Sequence, residues 1–185
     1  MSAADDILVL LAAGSARRMQ AVVDDKITAL LAGKPVFLHS LQSFLSTGLI
    51  GRVVITYRDE AQLAKLKAQL TGHLPTATQI DFVPGGESRQ DSVLAALNTC
   101  EGHAGLVHIH DGARPLVSPE AIRKVRDKAK ETGAAILAGR AADTVKIAKI
   151  GSASVETSPD RGLVWTAETP QVFRTTIVLK AYRKV

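Results

Sequence analysis

The feature that most constrains this chain is a repeated alternation. Five short apolar runs, ILVLLA, RVVITY, QIDFVP, LVHIH and AAILAG, punctuate the first 140 residues, and an amphipathic stretch follows each of the first four. Apolar runs of this length read as strands buried on both faces, and the stretches between them as helices. A β-α-β-α order predicts an α/β fold: a mostly parallel sheet with helices on both faces. With 46% apolar and only 4% aromatic residues, Leu, Val, Ile and Ala must build the core, and 185 residues suffice for one domain. Ligands in such sheets bind beyond the carboxyl ends of the strands. That rule gathers three loops: residues 12–26, 84–92 and 111–114.

Helix boundaries are marked locally. Val36, Leu38, Leu41, Phe44 and Leu45 share helical spacing between Pro35 and Gly48. Ser88 with Asp91 resembles a capping box. Ser118 is an expected N-cap, with Pro119 at the first helical position and Gly133 past the end. The pattern changes after Gly139. ADTVKIAK and SASVET read as a hairpin turning around residues 150–152, an arm within about 140–160. SPDRGLVWTAETPQVF reads as extended, and a helix is expected at about 174–184. The arm's apolar residues need cover, either from a second subunit or from the arm folding back on its own domain.

Charge and cysteine usage narrow the function. A net charge of +5 is scattered, with no basic run and no interleaved aromatics, so nucleic acid is not an expected partner; an anionic small molecule is. The single cysteine, Cys100, excludes an intrachain disulfide framework and fits a reducing cytoplasm. The acidic start is unlike a signal peptide, and no apolar run reaches the roughly 18 residues of a membrane span.

The residues that can do chemistry lie in the three loops. In ILVLLAAGSARRM (residues 7–19) a strand ends in small residues and delivers Arg17 and Arg18. Peptide N–H groups around Gly14 and Ser15 can face phosphate oxygens, and Gly14 can take backbone angles closed to other residues. The spacing to Lys26 is not that of a P-loop, and no dinucleotide fingerprint is present. An ordinary turn with surface arginines is the alternative. In PGGESRQDSV, Gly85 and Gly86 permit close backbone approach ahead of a capped helix. In HIHDGARP, Asp111 ends an apolar strand, where a carboxylate must be paired or metal-bound. A hard oxygen there suits Mg²⁺ shared with substrate phosphates; pairing with Arg114 is the other option. His108 and His110 share a strand face, but no third zinc ligand is evident. No serine elbow or zinc-protease motif occurs, and Cys100 has no base partner. Lys, Arg, glycine amides and one Asp suit phosphoryl or nucleotidyl transfer, which depends on positioning and charge neutralisation.

Taken in order, LAAGSARRM, Lys26, GGESRQDSV, HDGARP, DTVK and DRGLVWTAETPQVF resemble the 2-C-methyl-D-erythritol 4-phosphate cytidylyltransferase family of non-mevalonate isoprenoid biosynthesis. The opening motif is shared with many nucleotidyltransferases; the HDGARP and DRGLVWTAETPQVF patterns are particular to this family and to ribitol 5-phosphate cytidylyltransferases. The resemblance implies a Rossmann-like three-layer nucleotidyltransferase fold with a projecting arm. It implies that Ala12, Ala13, Gly14 and Ser15 line a CTP site, with Arg18 and Lys26 on the triphosphate. Gly86, Glu87 and Ser92 would hold cytosine and ribose, and Asp111 would bind Mg²⁺. Thr144 and Arg161 would reach the alcohol phosphate in a neighbouring subunit, making the arm the contact of a homodimer. The chain departs from the family pattern in three places: Leu11 stands where a proline is usual, AVVDD replaces the segment that normally ends in Pro-Lys, and the sequence ends at Val185, before an aspartate and a lysine that the family places near the metal and substrate. A CTP-binding module without catalysis is the alternative from a different class.

Overall fold

The computed structural model describes residues 5–14, 25–73 and 78–184. Strand β1 (Asp6–Leu11) is followed by a small hairpin, β2 (Leu30–Leu31) and β3 (Lys34–Pro35), and by helix α1 (Val36–Leu45). Then come β4 (Ile50–Tyr57), α2 (Glu60–Leu70), β5 (Gln79–Pro84), α3 (Arg89–Asn98), β6 (Leu106–Asp111), α4 (Pro119–Thr132) and β7 (Ala134–Arg140). The arm strands β8 (Ile147–Ala148) and β9 (Val155–Thr157), a 3₁₀ turn (Arg161–Leu163), β10 (Trp165–Arg174) and α5 (Thr175–Tyr182) complete the described chain.

The main sheet has the order β5-β4-β1-β6-β10-β7. β5, β4, β1 and β6 run parallel, as the alternation predicts. Successive residues of β1 face opposite layers. Leu8 and Leu10 pack with Phe37, Leu41 and Phe44 of α1, Leu66 of α2 and Ile122 of α4. Ile7 and Val9 pack with Val93 and Leu97 of α3 and Leu179 of α5. Two apolar layers on a sheet buried from both sides make the three-layer α/β architecture.

The local signals act where they were read. Ser88 and Asp91 form a reciprocal capping box, Ser118 caps α4, and Gly133 ends it in the left-handed region with φ 85°. The β2–β3 turn places Ala32 and Gly33 at φ 49° and 78°, the pair of positive angles that a tight hairpin of this twist requires.

The stretch read as extended contains β10, which inserts antiparallel between β6 and β7. One expectation is corrected. AAILAG is not a strand buried on both faces. As β7 it is the sheet edge, mostly half-exposed, with Ile136 46% accessible, because β10 takes the interior position beside β6. The arm does not fold back on the domain: β8 and β9 pair with each other in a separate two-stranded sheet, and every residue of both is exposed.

Candidate active site

The three loops converge. At the carboxyl ends of β1, β4, β5 and β6 lies a cleft of about 710 Å³, walled by Ala13 and Gly14, by Lys26, by Gly86 through Arg89, and by Asp111 and Arg114. Its charged lining comprises Lys26, Arg58, Arg89 and Arg114 against Glu87 and Asp111, an excess of positive charge suited to a polyanion.

The opening turn is held from below. Thr56, at the end of β4, accepts the N–H of Ala12 at 3.0 Å and of Ala13 at 3.4 Å. These two amides are thereby committed to the protein. Ala12 is wholly buried, and Ala13 and Gly14 carry the turn to the cleft wall. Gly14 is not in the left-handed region, and a Cβ there would meet nothing within 4 Å among the described residues. Ser15, Arg17 and Arg18 lie outside the described residues.

The glycine pair answers a packing demand. A Cβ on Gly85 would stand 2.3 Å from the Ala13 Cβ, and one on Gly86 would stand 2.2 Å from the Asp91 Cβ. The missing Cβ of Gly85 lets the first and second loops touch, and that of Gly86 lets the second loop close on the start of α3. Ser92 is nearly buried; its Oγ accepts the Gly86 N–H at 3.1 Å and donates to the Ser88 carbonyl at 3.0 Å. Glu87 lines the cleft beside it.

Asp111 sits between two guanidinium groups. Arg89 donates to its Oδ1 through Nε and Nη2 at 3.1 and 3.0 Å, and Arg114 Nε donates to Oδ2 at 3.2 Å. The pairing with Arg114 that the sequence allowed is present, and Arg89 adds a second partner. These three N–H groups use three of the roughly four acceptor positions of a carboxylate. Beneath the turn, His110 lies between the Arg114 carbonyl, 3.1 Å from Nε2, and Thr169 Oγ1, 2.9 Å from Nδ1. A carbonyl only accepts, so Nε2 carries the proton and Nδ1 takes the threonine hydroxyl's. Burial pushes this imidazole down to about 4, so it is neutral at pH 7. His108 is committed elsewhere. Its Nε2 meets Asp6 Oδ2 at 3.0 Å, and Arg126 Nε meets the same oxygen at 2.7 Å. Burial alone would raise the Asp6 carboxyl, but the bonds from His108 and Arg126 outweigh it and the net shift is downward. Both histidines thus have structural partners, and among the described residues no three His, Cys, Asp or Glu side chains cluster as metal ligands.

Thr144 and Arg161 are not in this cleft. Thr144 is exposed on the way to the arm. Arg161 lines a separate cavity of about 740 Å³ with Arg140 and Asp160, and its Nη1 donates to the Ala142 carbonyl at 3.2 Å. Sequence reasoning had given no role to Thr56, Arg58, Arg89 or Thr169. Arg58 directly follows the RVVITY run and Arg89 lies within the PGGESRQDSV motif, and those positions were the available signal.

Comparison with known proteins gives the family and the fold. The profile of the family described as 2-C-methyl-D-erythritol 4-phosphate cytidylyltransferase matches residues 7–185. An enzyme of that name from Dehalococcoides mccartyi (strain CBDB1) is 39% identical over 178 residues, covering 96% of this chain and 75% of its own. The one from Bacillus licheniformis is 36% identical over 176 residues, covering 95% and 73%. In three dimensions the chain is similar to the 4-diphosphocytidyl-2C-methyl-D-erythritol synthase of Anaerococcus prevotii, with TM-score 0.83, 24% identity and coverage of 99% and 77%. It is also similar to the Francisella tularensis 2-C-methyl-D-erythritol 4-phosphate cytidylyltransferase, with TM-score 0.72, 26% identity and coverage of 98% and 77%.

Proposed function

The chain belongs to the 2-C-methyl-D-erythritol 4-phosphate cytidylyltransferase family, nucleotidyltransferases of isoprenoid biosynthesis, and on that premise we propose how its own residues perform the transfer. The cleft takes CTP, and the alcohol phosphate attacks the α-phosphorus and expels pyrophosphate. The observation that carries this reading is the convergence of three loops at the strand ends with four cationic side chains around one cavity. Lys26, together with Arg18, neutralises the triphosphate as charge moves onto the leaving pyrophosphate. Gly86, Glu87 and Ser92 face the nucleoside, and Ala13, Gly14 and Ser15 border the phosphates.

Asp111 fits a magnesium site. With three of its roughly four acceptor positions taken by Arg89 and Arg114, it keeps one for an ion at the cleft wall, where it is 29% exposed, and Mg²⁺ commonly takes one or two carboxylates plus substrate phosphates. When bound, the ion would supply further charge neutralisation. Arg89 and Arg114 hold the carboxylate in place from either side.

Thr144 and Arg161 act on the alcohol phosphate of a second subunit. The motive is geometric: within one chain they are remote from the cleft, and Ile147, Ile150 and Val155 of the arm are exposed as a dimer contact would require. No helix among the described residues is long and apolar enough to cross a membrane, and the lone buried Cys100 fits a reducing cytoplasm. The test is pyrophosphate release from CTP and Mg²⁺ with methylerythritol phosphate or ribitol phosphate offered separately. Release with the first and not the second is expected. Preference for ribitol phosphate, or CTP binding without release, would replace this reading.

A further inference from the structure

Beneath the cleft lies a polar side chain with no place in the chemistry. Gln62, on the first turn of α2, is 1% exposed. Its Nε2 donates to the Ala12 carbonyl at 3.1 Å and to Asp25 Oδ2 at 2.7 Å, and its Oε1 accepts the Arg58 N–H at 2.7 Å. One amide thus ties three segments of the cleft wall: the end of β1, the end of β4 and the stretch that carries Lys26. The orientation of the amide is fixed by its partners. Ala12 offers only an acceptor and Arg58 only a donor, so the group cannot turn over.

Asp25 is the third corner. It is 6% exposed, its Oδ1 accepts the Ile27 N–H at 2.9 Å, and its backbone carbonyl accepts the Ala29 N–H at 3.0 Å. The acidic residue beside Lys26 therefore points inward. It closes a turn on its own backbone and docks that turn on Gln62, leaving Lys26 at the cleft lining.

We infer that Gln62 and Asp25 are positioning residues that set the placement of Lys26 in the cleft. That the segment serves a triphosphate rests on the reading above; that it is held by this pair does not.

Charge makes the pair testable. Gln62→Glu keeps the shape but sets a carboxylate against Asp25, and buried like charges repel. Gln62→Glu with Asp25→Asn puts a donor opposite the new carboxylate and restores that contact, while Arg58 keeps its acceptor. The readouts are amide hydrogen exchange at Ile27, KM for CTP, KM for the alcohol phosphate and the melting temperature. Gln62→Glu is expected to speed exchange at Ile27 and raise KM for CTP by about tenfold to a hundredfold, with KM for the alcohol phosphate within about twofold. The double variant regains the contact at position 25 but leaves the Ala12 carbonyl facing a carboxylate oxygen, so it is expected to recover only the part of both losses that the repulsion from Asp25 causes. Asp25→Ala, which removes only the anchor of the Lys26 segment, is expected to repeat the CTP defect while folding, so a Gln62→Glu chain that fails to fold does not end the test. Unchanged exchange at Ile27 in Asp25→Ala, or equal losses for both substrates in Asp25→Ala, overturns the inference. If the wild-type chain neither binds nor turns over CTP, the proposed function fails, and the Ile27 exchange pattern still decides the positioning role.

Discussion

His110 Nδ1 lies 2.9 Å from Thr169 Oγ1, and the same oxygen accepts the Asp111 N–H at 3.3 Å. A buried neutral imidazole therefore joins β6 to β10 directly behind the carboxylate of the cleft. Its proton affinity gives the fold a pH dependence. Burial lowers the folded value to about 4 against 6.5 for a free imidazole, so the unfolded chain binds the extra proton first as pH falls. The contribution is fully present well above 6.5 and lost on going down toward 4, on the order of 3 kcal/mol in all and about 2 kcal/mol between pH 7 and pH 5. Urea midpoints at those two pH values measure it. His110→Gln, which has no titrating ring, should flatten the slope; an unchanged slope would move the effect to another group.

Asp111→Asn keeps the shape at the cleft wall and removes the charge. Its carboxylate is 29% exposed and both partner arginines are nearly half exposed, so the pairs themselves contribute little, about 1 kcal/mol or less each. The variant should fold normally, need more Mg²⁺ and turn over at least about tenfold more slowly. A large loss of stability with magnesium-normal residual activity would make Asp111 a purely structural anchor for Arg89 and Arg114.

Gly85→Ala places a methyl group 2.3 Å from the Ala13 Cβ and 3.0 Å from Ser92 Oγ. The loops must separate, at about 1–3 kcal/mol of stability, and CTP affinity should fall with it. Ala13→Gly in the same chain removes the colliding atom. Recovery in the double variant shows that the contact between loops, rather than the backbone of Gly85, sets the requirement. Chemical denaturation and CTP titration of the three variants decide it.

The shared-site reading is tested by mixing. Lys26→Met and Arg161→Ala are each expected to be nearly inactive, by about a hundredfold or more for the first. Refolded together, half of the randomly paired dimers are mixed. If Arg161 acts across the interface, each mixed dimer has one intact site, and roughly a quarter of wild-type activity returns. No recovery, with mixed dimers demonstrated by mass, sinks the idea.

Much of the architecture was legible because it is periodic. The apolar runs of β1, β4, β5 and β6 and the capped helices between them carry their signals within a few residues, and the strand-end rule then brings the three loops together. What escaped notice depends on distant partners. β10 has no clean alternation, and its antiparallel insertion is decided by the free edge of β6. Gln62 sits among the polar residues of EAQLAKLKAQL, where a glutamine reads as surface; only the cleft floor makes it a buried clamp. Arg89 carries no local signal of its role, since its partner Asp111 is 22 positions away on another strand. Asp25 adjoins Lys26 in the sequence, and only the fold shows that its carboxylate turns inward, onto Gln62 and its own turn.

The place of β10 also sets a timetable for synthesis. Among the described residues β7 has no strand neighbour except β10, and β6 relies on it to cover the side away from β1. A nascent chain that has reached Arg140 still lacks the strand that sits between β6 and β7. The arm emerges next and completes its own pairing locally, which does not supply that strand. Only when residues 165–174 arrive is the gap filled, by contacts long in sequence and slow to close. Until then, the edge of β6 is where a second nascent chain can add a strand out of place.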